Sequence, residues 1–148
     1  MPELDNDIIL EIIGKGPYKK ELVKLARELG VEVRVVFRQD LARKDLLQEY
    51  AEADLFVSLS EHEAFGISIA EALASKLPCL VANTSASWVG HGCFGIDFPI
   101  DVNKLVNLIK EVIGTQVVGV KVPDWDESVK KLEDVYIECT YLATPSPF

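Results

Sequence analysis

Two carboxylates, Glu63 and Glu71, bracket a glycine and an Ala-rich stretch in "SEHEAFGISIAEALASKLPCLVA" (residues 60–82). Packing alone does not call for that pattern. Gly66 stands where a helix should begin, and a helix start offers unpaired N–H groups and a partial positive charge, which suit a phosphate. A glycine there lets a ligand approach the backbone closely. Glu71 lies farther along the same helix. Its carboxylate can accept two hydrogen bonds from a vicinal diol, such as the 2′ and 3′ hydroxyls of ribose. Glu63 lies on the other side of the phosphate position, where a second polyol could sit. The three features together fit a nucleotide-sugar, its diphosphate over the helix start. A plainer alternative stands beside this: Ser60 and Glu63 also fit a capping box, S-x-x-E, and Glu71 fits a solvated helix residue.

Other candidates carry less. "Asp124-Trp125-Asp126" matches the D-x-D of a metal-dependent glycosyltransferase fold, but it precedes a helix, where Asp caps well. His62 and His91 have no neighbouring Cys or carboxylate spacing for zinc, although His62 could touch a sugar. Gly14-Lys15-Gly16 is too short for a phosphate-binding loop or a full dinucleotide fingerprint. Lys15 is as readily a solvated turn residue as a phosphate ligand. The acidic run from Asp124 to Glu138 reads as a wet helix face, with Val129, Leu132, Val135 and Tyr136 docking.

These residues need a scaffold, and the periodicity supplies one. Apolar runs read as strands at "DIILEII" (7–13), "VEVRVVF" (31–37), "DLFVSLS" (54–60) and "LPCLVA" (77–82), with shorter ones near "GIDFPI" (95–100) and at "QVVGVKV" (116–122). Between them lie helical patterns. In "YKKELVKLARELG" (18–30), Leu22, Leu25, Ala26 and Leu29 share one face and Gly30 closes the helix. "RKDLLQEYAEA" (43–53), "AFGISIAEALAS" (64–75) and "DVNKLVNLIKEVIG" (101–114) follow, and "DWDESVKKLEDVYIECTYLA" (124–143) is a last amphipathic helix before a tail that should fray. Strands alternating with helices imply an α/β fold, a Rossmann-like parallel sheet with helices on both faces. Ligands of such sheets sit at the carboxyl ends of the strands. The turns at Gly14–Gly16, Phe37–Arg38 and Ser60–Gly66 converge there.

At 148 residues the chain is the size of a single domain. A formal charge of −9 argues against a nucleic-acid surface, which needs clustered Lys and Arg. No apolar run approaches the roughly 20 residues of a membrane span, and the acidic start is no signal peptide. Of the three cysteines, Cys79 lies in an apolar run and reads as a small buried hydrophobe, with Cys93 and Cys139 far from it in sequence. The expected location is the cytoplasm, a reducing compartment.

The order of these pieces is similar to a known family. "S-x-x-E-A-F-G-I-x-x-x-E-A-L-A-x-x-x-P-C-L-V-A" resembles the E-x7-E signature of retaining GT-B glycosyltransferases (glycosyl transferases group 1), which include sucrose and glycogen synthases and many mannosyltransferases. "LEIIGKGPYKKELVKLARELGV" looks like the family's strand, G-x-G-P turn and helix, and "PDWDESVKKLEDVY" is similar to its terminal helix. The resemblance covers roughly residues 8 to 137. It implies a donor-binding domain in which Glu71 holds the ribose and Glu63, the catalytic candidate, contacts the donor sugar. It further implies that the backbone of Ala64, Phe65, Gly66 and Ile67 meets sugar and diphosphate, that Gly14 and Gly16 shape the turn near the nucleotide, and that Phe37 and Arg38 flank the base. The donor would be a UDP-, GDP- or ADP-sugar, with no metal and no further cofactor.

The chain also departs from that pattern. The family's C-terminal domain opens with a strand and a segment whose Arg and Lys neutralise the diphosphate; this chain starts one βα unit later and carries no such pair. "ASKLP" has Lys76 and Leu77 where a glycine is common before the proline, and "TSASWVGHG" replaces the glycines and Glu that usually follow the next strand. Charge stabilisation on a leaving diphosphate is a large catalytic term, so the chain by itself is expected to turn over poorly. In the 3-2-1-4-5-6 order of doubly wound sheets the absent strand is central. The two edges so exposed should be closed by direct pairing of its neighbours, by "QVVGVKV" or by a second chain; homo-oligomers through these edges are an expected consequence. The reading is one nucleotide-sugar-binding domain over 1–148, with 124–142 a C-terminal helix and 143–148 a loose tail, active only with N-terminal segments from elsewhere. The alternative is a non-catalytic Rossmann-like interaction or regulatory module descended from such an enzyme, and a nucleotide-sugar epimerase shares the architecture.

Overall fold

The computed structural model describes residues 1–83, 88–90, 92–120, 122 and 124–142, excepting the side chains of 139–142. Strand β1 (Leu10–Ile13) leads into helix α1 (Lys19–Glu28), which closes with Gly30 at a left-handed φ of +65° and with Val31 donating to the Ala26 carbonyl at 2.9 Å. That is the usual way a glycine just past a helix satisfies its last carbonyls. The next strand is shorter than the Val-rich run suggests: Glu32–Arg34 form a 3-10 turn, and β2 is only Val35–Arg38. Helix α2 (Arg43–Glu52), strand β3 (Phe56–Ser58), helix α3 (Ile67–Ala74), strand β4 (Cys79–Ala82), strand β5 (Cys93–Ile96) and helix α4 (Val102–Val112) follow. Asp101 caps α4, accepting from the amides of Asn103 and Lys104. The last helix is α5 (Trp125–Leu142), where Asp124 accepts from the Glu127 amide at 2.8 Å. The aspartate of the D-x-D tripeptide is thus a helix cap, as its position before the helix suggests.

Every strand pair is parallel, but the strands form two sheets, β1-β2 and β3-β4-β5. Their relative order follows from which faces the helices cover. Phe37 and Arg38 are consecutive in β2, so their side chains point to opposite faces. Lys19 of α1 sits 5.9 Å from the Phe37 ring centroid, while Glu49 of α2 pairs with Arg38 at 3.3 Å. Helices α1 and α2 therefore lie on opposite faces. With right-handed crossovers, the chain moves one way from β1 to β2 and turns back towards the β1 side to reach β3. It then keeps that direction into β4, which places α2 and α3 on one face; Arg43 and Tyr50 of α2 do meet Glu71 of α3. The strand order is β2-β1, an interval, then β3-β4-β5.

Among the described residues that interval is unfilled. Neither β1 nor β3 has a partner on its inner edge, so direct pairing of the neighbours is not how the edges are managed. Nor does "QVVGVKV" close it. Its described residues form no strand; Val117 turns into the core and Val118 is exposed. Gly119, at φ +75°, interrupts the extended run that the Val spacing implies.

The core belongs to the three-stranded side. All of β4 is buried, and Ile69, Leu73, Leu80, Val81 and Val112 are the largest side chains fully withdrawn from solvent. Cys79 and Cys93 face each other as Cα partners across β4 and β5, and burial pushes their thiols up to about 12 and about 11. They are protonated packing groups, as the apolar setting of Cys79 suggests. Two expected packing faces are not covered. Of the α1 face only Ala26 is buried, because a two-stranded sheet offers a surface roughly 10 Å wide, no wider than one helix. On α5, Val129, Leu132, Val135 and Tyr136 are exposed rather than docked: among the described residues no strand pairs beyond β5 to extend the sheet towards this face.

Candidate functional site

Parallel strands put all their carboxyl ends on one edge, and the chemistry-bearing turns lie along it. On the three-stranded side, β3 runs into the loop that ends at Gly66. Gly66 is the N-cap of α3, with φ +80° and ψ 55°, a left-handed conformation. Space demands glycine as much as torsion does: a Cβ here would lie 2.7 Å from Ile69 Cδ1 and 3.2 Å from Trp88 Nε1. Gly66 brings no side chain of its own to cap the helix start, whose first-turn amides have no partner within the helix.

Glu63 folds forward within this turn. Its Oε1 accepts from the Gly66 amide at 2.8 Å. This differs from the S-x-x-E capping box, in which Glu63 would reach back to Ser60; the helix begins at Ile67, too late for that geometry. The carboxylate still shapes the turn that presents Ala64, Phe65, Gly66 and Ile67. Phe65 and Ile67 are largely exposed, and Phe65 stacks edge-on against Trp88 with ring centroids 5.4 Å apart. The Trp88 indole also donates to the Phe65 carbonyl. Trp88 lies in the "TSASWVGHG" stretch; its residues 84–87 and His91 lie outside the described residues.

Glu71 sits one turn into α3, its carboxylate mostly buried and held by two groups from α2. The Arg43 guanidinium pairs with Oε1, and the Tyr50 hydroxyl donates to Oε2 at 3.3 Å. Tyr50 is pushed up to about 12, chiefly by burial and next by the Glu71 charge. Neither Arg43 nor Tyr50 stood out in the sequence, since no local spacing links α2 to a glutamate 28 and 21 residues on. The left-handed residue that ends α3 is Lys76, φ +63°, in the place where a glycine is common.

The remaining candidates stand on the two-stranded side of the same edge. Gly14 extends the β1-β2 ladder by donating to the Arg38 carbonyl at 3.0 Å, and Gly16 follows in open space. Lys15 pairs with Asp40 across an exposed turn. Arg38 is engaged by Glu11 and Glu49, and Phe37 by Lys19. The structure therefore gathers Glu63, the 64–67 backbone and Glu71 around one helix start, while Gly14, Gly16, Phe37 and Arg38 line up beyond the unfilled interval. A hollow of about 630 Å³ lies elsewhere: Asp54, Lys76, Pro78, Gly114 and Val120 line it at the amino ends of β3 and β4. Among the described residues no cluster of His, Cys, Asp and Glu could hold a metal ion, and no helix is long and apolar enough to cross a membrane.

Comparison with known proteins gives this arrangement a lineage. Residues 1–116 match the family described as Glycosyl transferases group 1. The sulfoquinovosyl transferase SQD2 of Arabidopsis thaliana is 40% identical over 73 residues, 49% of this chain and 14% of that protein. The N-acetyl-alpha-D-glucosaminyl L-malate synthase of Bacillus anthracis is 37% identical over 75 residues, 50% of this chain and 19% of that protein. A GDP-mannose-dependent alpha-(1-6)-phosphatidylinositol monomannoside mannosyltransferase of Mycolicibacterium smegmatis is 31% identical over 97 residues, covering 59% of this chain and 25% of its own length. The chain thus spans between 14 and 25% of the length of these relatives. Its fold is that of WaaG, a glycosyltransferase involved in lipopolysaccharide biosynthesis: the crystal structure superposes with a TM-score of 0.67 at 24% identity, over 77% of this chain and 32% of that one. With parallel strands, a glycine-capped α3 and a family match over more than half its length, the chain belongs to the group 1 glycosyl transferases.

Proposed function

We propose that this chain is the donor-binding part of a retaining glycosyltransferase, holding a nucleotide-diphospho-sugar at the carboxyl edge of its strands. The observation that carries the reading is the start of α3, where a left-handed Gly66 with no capping side chain of its own stands between two glutamates. The diphosphate would lie over the helix start, the ribose diol on Glu71 and the sugar hydroxyls near Glu63. Charge-assisted hydrogen bonds from carboxylate to hydroxyl are among the stronger ones available. Gly14, Gly16, Phe37 and Arg38 would border the base. Arg43 must share or release Glu71 when ribose binds. Transfer to an acceptor would require segments beyond those present here, and no metal is assigned a role.

A second reading is favoured by one observation: Glu63 and Glu71 are both engaged within the fold. On that reading the site is a structural remnant, and the protein acts through its surface.

Calorimetric titration with UDP, GDP, ADP and their glucose or mannose conjugates separates the two. Donor binding predicts saturation by one base, lost in Glu71→Ala and indifferent to magnesium. Arg43→Ala is the control, because it breaks the same ion pair while leaving the ribose acceptor intact. Heat from none of these ligands would favour the remnant.

A further inference from the structure

The peptide that joins Phe65 to Gly66 is held from both sides. Its N–H donates to Glu63 Oε1 at 2.8 Å, and its carbonyl accepts from the Trp88 indole. The bond is trans, so the two groups point in opposite directions, and Glu63 and Trp88 meet it from opposite sides. Gly66 is buried, where an amide or carbonyl without a partner would be costly. Glycine takes either hand of φ about as readily, so its own torsions do not choose this orientation over the reverse. The partners do.

Trp88 is itself fixed. Its ring packs against the buried cluster that contains Ile69 and Cys79, and it meets the Phe65 ring edge-on. Two residues on, Gly90 and Cys93 exchange backbone hydrogen bonds at 2.8 and 2.9 Å, which ties this segment to the start of β5. The missing Cβ of Gly66 leaves room for the indole, whose Nε1 would lie 3.2 Å from such an atom. We propose that Trp88 is a positioning residue of the donor site: it turns the Phe65 carbonyl away from Glu63 and so presents the Gly66 N–H on the side where the donor would lie. The inference rests on the donor-binding reading above. Reversed, the peptide would aim its carbonyl dipole at the Glu63 carboxylate and at a ligand carrying negative charge, and both contacts would be repulsive. Trp88 needs no contact with the ligand for this. Phenylalanine in its place would keep a ring against the core but lose the donor.

NMR-detected hydrogen exchange of the full chain, with Trp88→Phe beside it, tests the proposal. In the parent chain the Trp88 indole proton should exchange at least about tenfold more slowly than that of Trp125, which is 85% exposed. Trp88→Phe should speed exchange of the Gly66 amide by about fivefold, the contribution of one hydrogen bond, with the Leu80 amide and the melting temperature nearly unchanged. A residue that served packing alone would move the melting temperature and leave the Gly66 amide as it was. In calorimetric titration the same variant should weaken binding of whichever UDP, GDP or ADP ligand the parent takes, again by about fivefold. Three results would overturn the role of Trp88 alone: an indole proton that exchanges as fast as that of Trp125, an unchanged Gly66 amide, or parent binding that the variant leaves intact. A parent chain that binds none of these nucleotides would overturn the donor-binding reading itself, and the role of Trp88 with it.

Discussion

Strands β1 and β4 are alike in length and apolar character, "LEII" against "CLVA", yet one is half open to solvent and the other wholly buried. The difference lies in their neighbours. β4 has a strand on each side and α3 and α4 packed against it, whereas among the described residues β1 pairs with one strand, β2. Burial in a parallel sheet is a property of the whole layer, since every strand's faces are covered by helices that span more than one strand. The β3-β4-β5 half is complete as a layer; the β1-β2 half is too narrow to hide its own helix. The candidate site follows this division. The helix start with its glutamates rests on the rigid half, and the glycine turn at Gly14–Gly16 on the open one.

That contrast can be broken or sharpened by mutation, with the largest effect expected in the core. Leu80→Ala should cost about 3 to 4 kcal/mol, the loss for a fully buried Leu, and Ile13→Ala no more than about 1. Urea melts of both variants measure the gap, and equal losses would show that the halves are equally packed. Gly66→Ala comes next. A left-handed alanine with its Cβ against Ile69 should lower stability by about 2 kcal/mol and weaken any ligand at the α3 start, as read by melting temperature and titration.

Alkaline pH should act on the complete half. The thiols of Cys79 and Cys93 ordinarily titrate near 9 and Tyr50 near 10, and folding raises all three, to about 12, 11 and 12. Raised values mean that stability is fully present below the ordinary pKa and is lost as pH climbs through the folded one. Stability should therefore fall from about pH 9 upward. Tyr50→Phe should remove the part lost between pH 10 and 12, about 2 kcal/mol. Thermal melts across that range check it, and an unchanged pH profile in the variant would remove Tyr50 from the account. The smallest effect belongs to the open half. Leu25→Lys on α1 should stay within about 0.5 kcal/mol, whereas Leu73→Lys, which would bury a charge, should unfold the protein.

Much of this was written locally. Alternating apolar runs and helical patterns announced parallel βα units, because periods of two and of 3.6 are set by backbone geometry. The glycine before α3, the cap at Asp124 and the burial of Cys79 were equally legible, since each depends on residues a few positions away. Other features were not. "QVVGVKV" has the composition of a strand but is broken by a left-handed Gly119, and the apolar face of α5 is exposed. The forward bond of Glu63 to Gly66 depended on where the helix begins, which sequence fixes only to within a turn. The partners of Glu71 come from α2, 28 and 21 residues away, and were invisible for that reason.

The sequence by itself determined most of the elements, their order and the family, because local periodicity and motif spacing need no neighbours to be read. Only the tertiary structure decided that the sheet is split, that Arg43 and Tyr50 hold Glu71, and which backbone groups stand unpaired, because hydrogen bonds between strands and helices are made between residues that are distant along the chain.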